Sequence, residues 1–116
     1  MSKTNVDYVR DIVEELEDIL TFTSEGQQTF MESEVIQKAV VRSYEVIGEI
    51  CKRLPSELRD ANAQINWRKL ITFRDFLAHH YDVIDWHFVW EAVEDAPALR
   101  AAFRELLEKL ETHESE

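Results

Sequence analysis

Apolar residues recur every three or four positions along almost the whole chain. Between positions 4 and 22, Val6, Val9, Ile12, Val13, Leu16, Ile19 and Leu20 form one stripe, the pattern of an amphipathic helix. Thr4 or Asn5 is placed to cap it. The stretch TSEGQQ reads as a turn, and a longer helix is predicted over 28–54. Its inward positions are Val35, Ile36, Ala39, Val40, Ser43, Val46, Ile47, Ile50 and Leu54. Gly48 lies inside that stripe. Mid-helix glycine costs roughly 1 kcal/mol against alanine, so the close approach of another helix is its expected reason. Pro55 ends this helix or opens the short turn PSELRD. A third helix is predicted over 65–79 through Ile65, Leu70, Ile71, Phe73, Phe76 and Leu77. A fourth runs from about Asp85 through Val93, and Pro97 starts a fifth carrying Leu99, Phe103, Leu106, Leu107 and Leu110. The ending ETHESE is polar and is expected to fray.

These elements predict an all-α fold, an antiparallel bundle of four to five helices. They place a single domain over residues 1–112 and a polar tail over 113–116. Composition agrees. Two glycines and two prolines among 116 residues are too few for the turns of an all-β domain. The charge, 13 basic against 24 acidic residues for a net −11, repels nucleic acid at long range. That opposes a general DNA-coating role and leaves room for a local basic cleft. The single cysteine, Cys51, forms no internal disulfide and suits a reducing compartment. No basic-then-apolar leader opens the sequence, and no apolar run approaches the ~20 residues that span a bilayer. A cytoplasmic protein without a membrane role is expected.

One segment departs from the acidic background. NWRKLITFRDFLAHHY, residues 66–81, carries Arg68, Lys69 and Arg74 against only Asp75. Such contrast marks a site for an anion, with Trp67 and Tyr81 available to stack on bases. A solvated basic face paired with the acidic helices is the competing account. On one helix Arg74 and Tyr81, seven apart, share a face. Asp75 and His79, four apart, also share one, so Asp75 is positioned to accept a hydrogen bond from the His79 ring. Arg74 and His79 are five apart, about 140° around the axis. They converge only if the helix ends or distorts near Ala78, or if two chains build the site across a two-fold axis. An arginine and a histidine suit RNA cleavage by the RNA's own 2′-hydroxyl: imidazole moves the proton and guanidinium neutralises the phosphorane. The competing accounts are a histidine at a helix C-terminus and an ordinary salt bridge.

At these residues the chain resembles a known family. Arg74, His79 and Tyr81 fit the R-x4-H-x-Y motif of HEPN-domain ribonucleases, and the wider match resembles the HepT-like toxins of HepT–MntA type toxin–antitoxin pairs. It rests on DYVRDIVEELEDI, AVVRSYEVIGEICKRLP, INWRKLITFRDFLAHHYDVIDWHFVWEAV and LRAAFRELLEKL. The resemblance implies a HEPN-like homodimer with both motifs lining one cleft, and metal-independent endoribonuclease activity on messenger or transfer RNA. It implies no cofactor. Arg74 and His79 become the catalytic pair, and Asp75 takes a polar position where asparagine is frequent, orienting His79 or lowering phosphate affinity. Tyr81 matches the tyrosine that a partner nucleotidyltransferase antitoxin, MntA-like, modifies with AMP. Arg68, Lys69 and Trp67 are the RNA-binding candidates. His80 receives no role.

Other features are weighed alongside. Trp67, Trp86, Phe88 and Trp90 surround the motif and read first as core or dimer contacts, with Trp90 and Phe103 the firmest core aromatics. Cys51 reads as a small buried residue. His79, His80, Asp82, Asp85 and His87 supply metal-ligating types at a spacing that fits no common metal motif, so no metal site is assigned. The acidic run Glu14, Glu15, Glu17, Asp18 reads as a solvated face, or as a surface for a basic partner. Two other functional classes compete with the ribonuclease: a non-catalytic nucleotide-binding subunit of a minimal nucleotidyltransferase, and a bundle that only dimerises.

Overall fold

In the computed structural model, residues 2–115 are described, with side chains for 2–113. Helix α1 spans Asn5–Phe22, and Thr4 caps it through a capping box. The Thr4 side chain accepts from the Asp7 amide while the Asp7 carboxylate accepts from the Thr4 amide. The predicted stripe is its buried face: Val6, Val9, Ile12, Val13, Leu16 and Ile19.

The helix expected over 28–54 is two helices, α2 (Gln27–Glu32) and α3 (Glu34–Arg53). The break falls at Ser33, whose side chain accepts from the Ile36 amide and so starts a new helix. Gln37 completes the junction. Its buried side-chain amide donates to the Phe30 and Met31 carbonyls at the end of α2, the first of which also accepts from the Ser33 amide. Starting α3 at Glu34 also rotates Val35, expected inward, to 79% exposure. The buried face instead adds Gln37, Tyr44, Gly48 and Cys51.

A short α4 (Ser56–Ala61) follows Pro55, and Asn66 caps α5 (Trp67–His79) by accepting from the Lys69 amide. A single 3-10 turn covers Tyr81–Val83. The two helices expected on either side of Pro97 are one, α6 (Trp86–Ser115). Pro97 has no amide to return to Val93, and interior proline costs about 3 kcal/mol. Packing overrides that penalty: Val89, Val93 and Ala96 before the proline's own turn ends, and Phe103 and Leu106 after it, are all buried. The Tyr44 hydroxyl donates to the Ala92 carbonyl, adding a donor beside the interrupted stretch. The tail expected to fray continues α6 to Ser115; Glu116 lies outside the described residues.

The long helices pack in the order α6, α1, α3, α5. Contacts of Tyr8 with Arg53 and of Glu15 with Ser43 show that α1 and α3 run antiparallel. Between α5 and α6 aromatic rings fill the space: Trp67 meets Phe103 edge-on at 5.3 Å, and Phe73 meets Phe88 at 5.6 Å. Phe103 is fully buried, whereas Trp90 is half-buried against Phe30. The acidic run of α1 is not simply solvated: Glu15 is partly buried beside Ser43 of α3 and Glu17 pairs with Arg104 of α6. Partial burial pushes the Glu15 carboxyl above its ordinary range. Cys51 is buried, and burial pushes its thiol up to about 12. Among the described residues, no helix is long and apolar enough to cross a membrane.

Candidate functional site

The site is set by where α5 crosses α3. A Cβ built on Gly48 would lie 2.1 Å from Arg74 Cβ, 2.7 Å from Arg74 Cγ and 3.0 Å from the Leu70 carbonyl oxygen. Glycine is therefore required by the close approach that its mid-helix position predicted. The aliphatic stem of Arg74 rests on the bare backbone of α3, which leaves its head at the rim of the helix pair.

That head is held by two carboxylates. Arg74 Nη2 lies 3.4 Å from Glu49 Oε2, and Nη1 donates to Asp75 Oδ1 at 3.1 Å. The side chain is 26% exposed, and its Nε is enclosed without a partner. The guanidinium thus makes its polar contacts through the two terminal nitrogens, the pair that also grips a phosphate.

Asp75 joins the motif together by two different groups. Its carboxylate accepts from Arg74 and from Lys52 Nζ, the latter at 2.7 Å. Those bonds, Lys52 foremost, hold its carboxyl below the ordinary range. Its backbone carbonyl lies 2.8 Å from His79 Nδ1. The expected hydrogen bond to the Asp75 carboxylate is therefore replaced by one to its carbonyl, because the carboxylate is held by Lys52 of α3 and by its neighbour Arg74. The consequence for His79 is definite. A carbonyl only accepts, so Nδ1 carries the proton and the neutral ring keeps its lone pair on Nε2. His79 is exposed, at the last position of α5.

Helix α5 runs through His79, its last residue, so Arg74 and His79 remain about 140° apart around one axis and the helix end does not bring them together. The same ending corrects another expectation. Tyr81 is not on the Arg74 face of a continuous helix, since it opens the 3-10 turn beyond the cap residue His80. It is 79% exposed. His80 stacks on Phe76 at 5.2 Å.

The flanking candidates divide. Arg68 and Lys69 are exposed, and Lys69 Nζ pairs with Asp95 at 3.4 Å. Trp67 is 7% exposed, its indole N–H donates to the Asn62 carbonyl, and its ring packs on Phe103. It is a core residue and leaves the base-stacking set. The weighed metal cluster does not assemble: among the described residues, no three His, Cys, Asp or Glu side chains come together to hold an ion. His87 instead lies 3.5 Å from Asp85.

Sequence reasoning about 66–81 did not reach the residues that α3 contributes, Glu49 and Lys52. The available signal was Gly48, whose predicted close approach brings its helical neighbours to whatever packs on it.

Residues 12–106 match the family model described as "Ribonuclease HepT-like". The chain is 36% identical over 108 residues to a protein of Thermococcus cleftensis named "Probable ribonuclease HepT", covering 91% of this chain and 98% of that one. Two proteins of Methanocaldococcus jannaschii, each carrying the name "Putative RNase", are similar as well. One is 38% identical over 87 residues, covering 74% of this chain and 72% of that protein. The other is 33% identical over 106 residues, covering 90% and 88%. No solved structure matches the chain.

Proposed function

This chain belongs to the HepT-like ribonuclease family, and on that premise we propose that Arg74 and His79 cleave RNA internally, as the toxin of a toxin–antitoxin pair. The observation that carries the reading is the Asp75 carbonyl bonded to His79 Nδ1. It supports a fixed tautomer with Nε2 as base, five residues along the helix from a guanidinium.

The reaction follows from those groups. His79 Nε2 takes the proton of a ribose 2′-hydroxyl, and the oxygen attacks the adjacent phosphorus. A 2′,3′-cyclic phosphate forms, the bond to the 5′-oxygen breaks, and that oxygen leaves with a proton. Arg74 turns its terminal nitrogens from Glu49 and Asp75 to the phosphate oxygens and neutralises the charge that grows there. The chemistry asks for no metal or cofactor. Lys52, tied to Asp75, keeps that carboxylate on α3 while Arg74 is engaged with substrate.

The working form is a homodimer with one motif from each protomer in a shared cleft. Exposed apolar side chains beside the motif support this: Phe88 is 48% exposed, Val83 65%, with Tyr81 next to them. The exposure of Tyr81 also supports modification by a partner nucleotidyltransferase. There the phenol oxygen attacks the α-phosphorus of ATP and pyrophosphate leaves, so Tyr81 carries AMP and the toxin is silenced.

A cleavage gel tests the reading directly. The parent should cut single-stranded RNA to cyclic-phosphate ends, and Arg74→Ala and His79→Ala should not, with dimers intact by light scattering. Cutting by the double variant would refute the assignment. Co-expression with the nucleotidyltransferase should raise the intact mass by AMP, and Tyr81→Phe should abolish that gain.

A further inference from the structure

A cleft of about 580 Å³ opens between the start of α1 and the middle of α3, and Arg74 forms part of its wall. Three more cations line it, Lys3, Arg42 and Arg53, around the half-buried ring of Tyr8. Its acids are Asp11, Glu45 and Glu49, so the cleft carries four positive groups against three negative ones in a chain of −11. The acids are largely spoken for: Asp11 pairs with Lys3, and Glu49 with Arg53 and Arg74. Arg42 is exposed and, among the described residues, stands in no salt bridge, although the charge of Glu15 acts on it at longer range. It is the open charge of the cleft. Arg53 is fixed differently, its guanidinium lying beside Tyr8 and 3.9 Å from Glu49.

We propose that this cleft seats the RNA strand next to the scissile bond, with Arg42 and Arg53 on a flanking phosphate and Tyr8 beside its base. The inference rests on the cleavage reading above, since it extends the strand outward from Arg74. Three features favour RNA over other anions. The volume lies within the ~300–1,000 Å³ range of ligand sites and fits a nucleotide. Cations with an aromatic wall are the chemistry of single-strand binding, where phosphate charge and base stacking act together. The cleft is also continuous with the one arginine positioned to meet a reacting phosphate. Glu49 ties the two regions together because it bonds Arg74 on one side and Arg53 on the other. A strand that takes Arg74 from Glu49 leaves that carboxylate to Arg53, so a flanking phosphate depends more on Arg42.

The test measures binding apart from cutting. A fluorescent single-stranded 2′-O-methyl oligonucleotide, which lacks the attacking hydroxyl, is titrated into the whole protein and followed by anisotropy. Arg42→Glu should weaken binding at least tenfold. The milder Arg42→Gln should lower the salt dependence by about 0.7 in log–log slope, the value for one lost single-strand phosphate contact. Lys109→Glu, at the far end of α6, should change neither. On cleavable RNA, Arg42→Gln should raise KM and spare kcat, whereas Arg74→Ala removes kcat. Circular dichroism confirms folding of each variant. Equal affinities for the parent and both Arg42 variants would overturn the subsite while leaving the catalytic pair standing. So would equal losses in the Arg42 and Lys109 variants, which would mean charge alone. Loss of nucleotidyltransferase binding with RNA affinity unchanged would assign the cleft to a protein and equally overturn the proposal. Cutting by the Arg74→Ala, His79→Ala double variant would instead sink the cleavage reading and not the binding result.

Discussion

Gly48→Ala puts the crossing of α3 and α5 to a quantitative test. Two effects of opposite sign compete. Alanine is the better helix former by about 1 kcal/mol, so a glycine with open space around it would be improved by the change. Here the new methyl would sit 2.1 Å from Arg74 Cβ, where ordinary contact begins at 3.4 Å. The helices must separate by the difference, 3.4 − 2.1 = 1.3 Å, or Arg74 must leave its place. The nearest atoms are Arg74 Cβ and Cγ and the Leu70 main-chain oxygen, and the Cβ and the oxygen do not swing aside as a side-chain tip would. Overpacking of this kind costs about 1–3 kcal/mol. The net expectation is a loss between zero and about 2 kcal/mol, read from the midpoint of urea unfolding. The effect on cleavage should be larger in proportion, because a shift of about 1 Å at a reacting group can cost about a hundredfold in rate. Gly26 supplies the contrast: it has φ +96° with nothing within 4 Å of a built Cβ. Gly26→Ala should lose about 1 kcal/mol through strain and leave cleavage unchanged. A Gly48→Ala protein that is more stable by 1 kcal/mol and cuts RNA at the parental rate would refute the reasoning.

Further expectations follow from individual residues. Asp75→Asn removes the competitor for the Arg74 guanidinium but keeps the carbonyl that orients His79, so KM for RNA should fall with kcat largely retained; steady-state kinetics decide. Trp67→Ala empties a core position and should cost about 3–5 kcal/mol in urea unfolding, against less than 1 kcal/mol for Arg68→Ala. Tyr44→Phe leaves the Ala92 carbonyl without its extra donor and should cost about 1 kcal/mol, measured the same way. Cys51 should resist aromatic disulfide reagents in the native state and react on unfolding. Its thiol is held protonated in the fold while the unfolded thiol ionises near 9, so its contribution is complete below pH 9. Stability should fall as pH rises from there toward 12, and Cys51→Ala should flatten that decline.

Much of the fold was legible because its stripes are regular. The buried face of α1 and the end of α5 follow from periodicity alone. The errors cluster where one local rule met a longer-range contact. At Ser33 a cap and the reach of Gln37 divided a stripe that reads as continuous. At Pro97 the reverse happened, and burial on both flanks kept a helix that its proline argues against. The site divides similarly. Segment 66–81 advertised its charge, but Glu49, which faces Arg74, and Lys52, which holds Asp75, lie on α3, more than twenty residues earlier, and spacing within a segment does not predict them. Trp67 shows the opposite difficulty. An aromatic beside basic residues looks like a base platform until the core claims it.

The resting state of Arg74 has a consequence for selectivity. With Glu49 and Asp75 already facing them, the two terminal nitrogens of the guanidinium are engaged before any visitor arrives. A lone chloride or a small metabolite offers one weak contact and displaces neither carboxylate. A polymer bearing many negative groups, anchored at neighbouring points, can supply both replacements at once. On the proposed role of Arg74, occupancy is therefore a threshold event, closed to the abundant small anions of a cell and open to a strand.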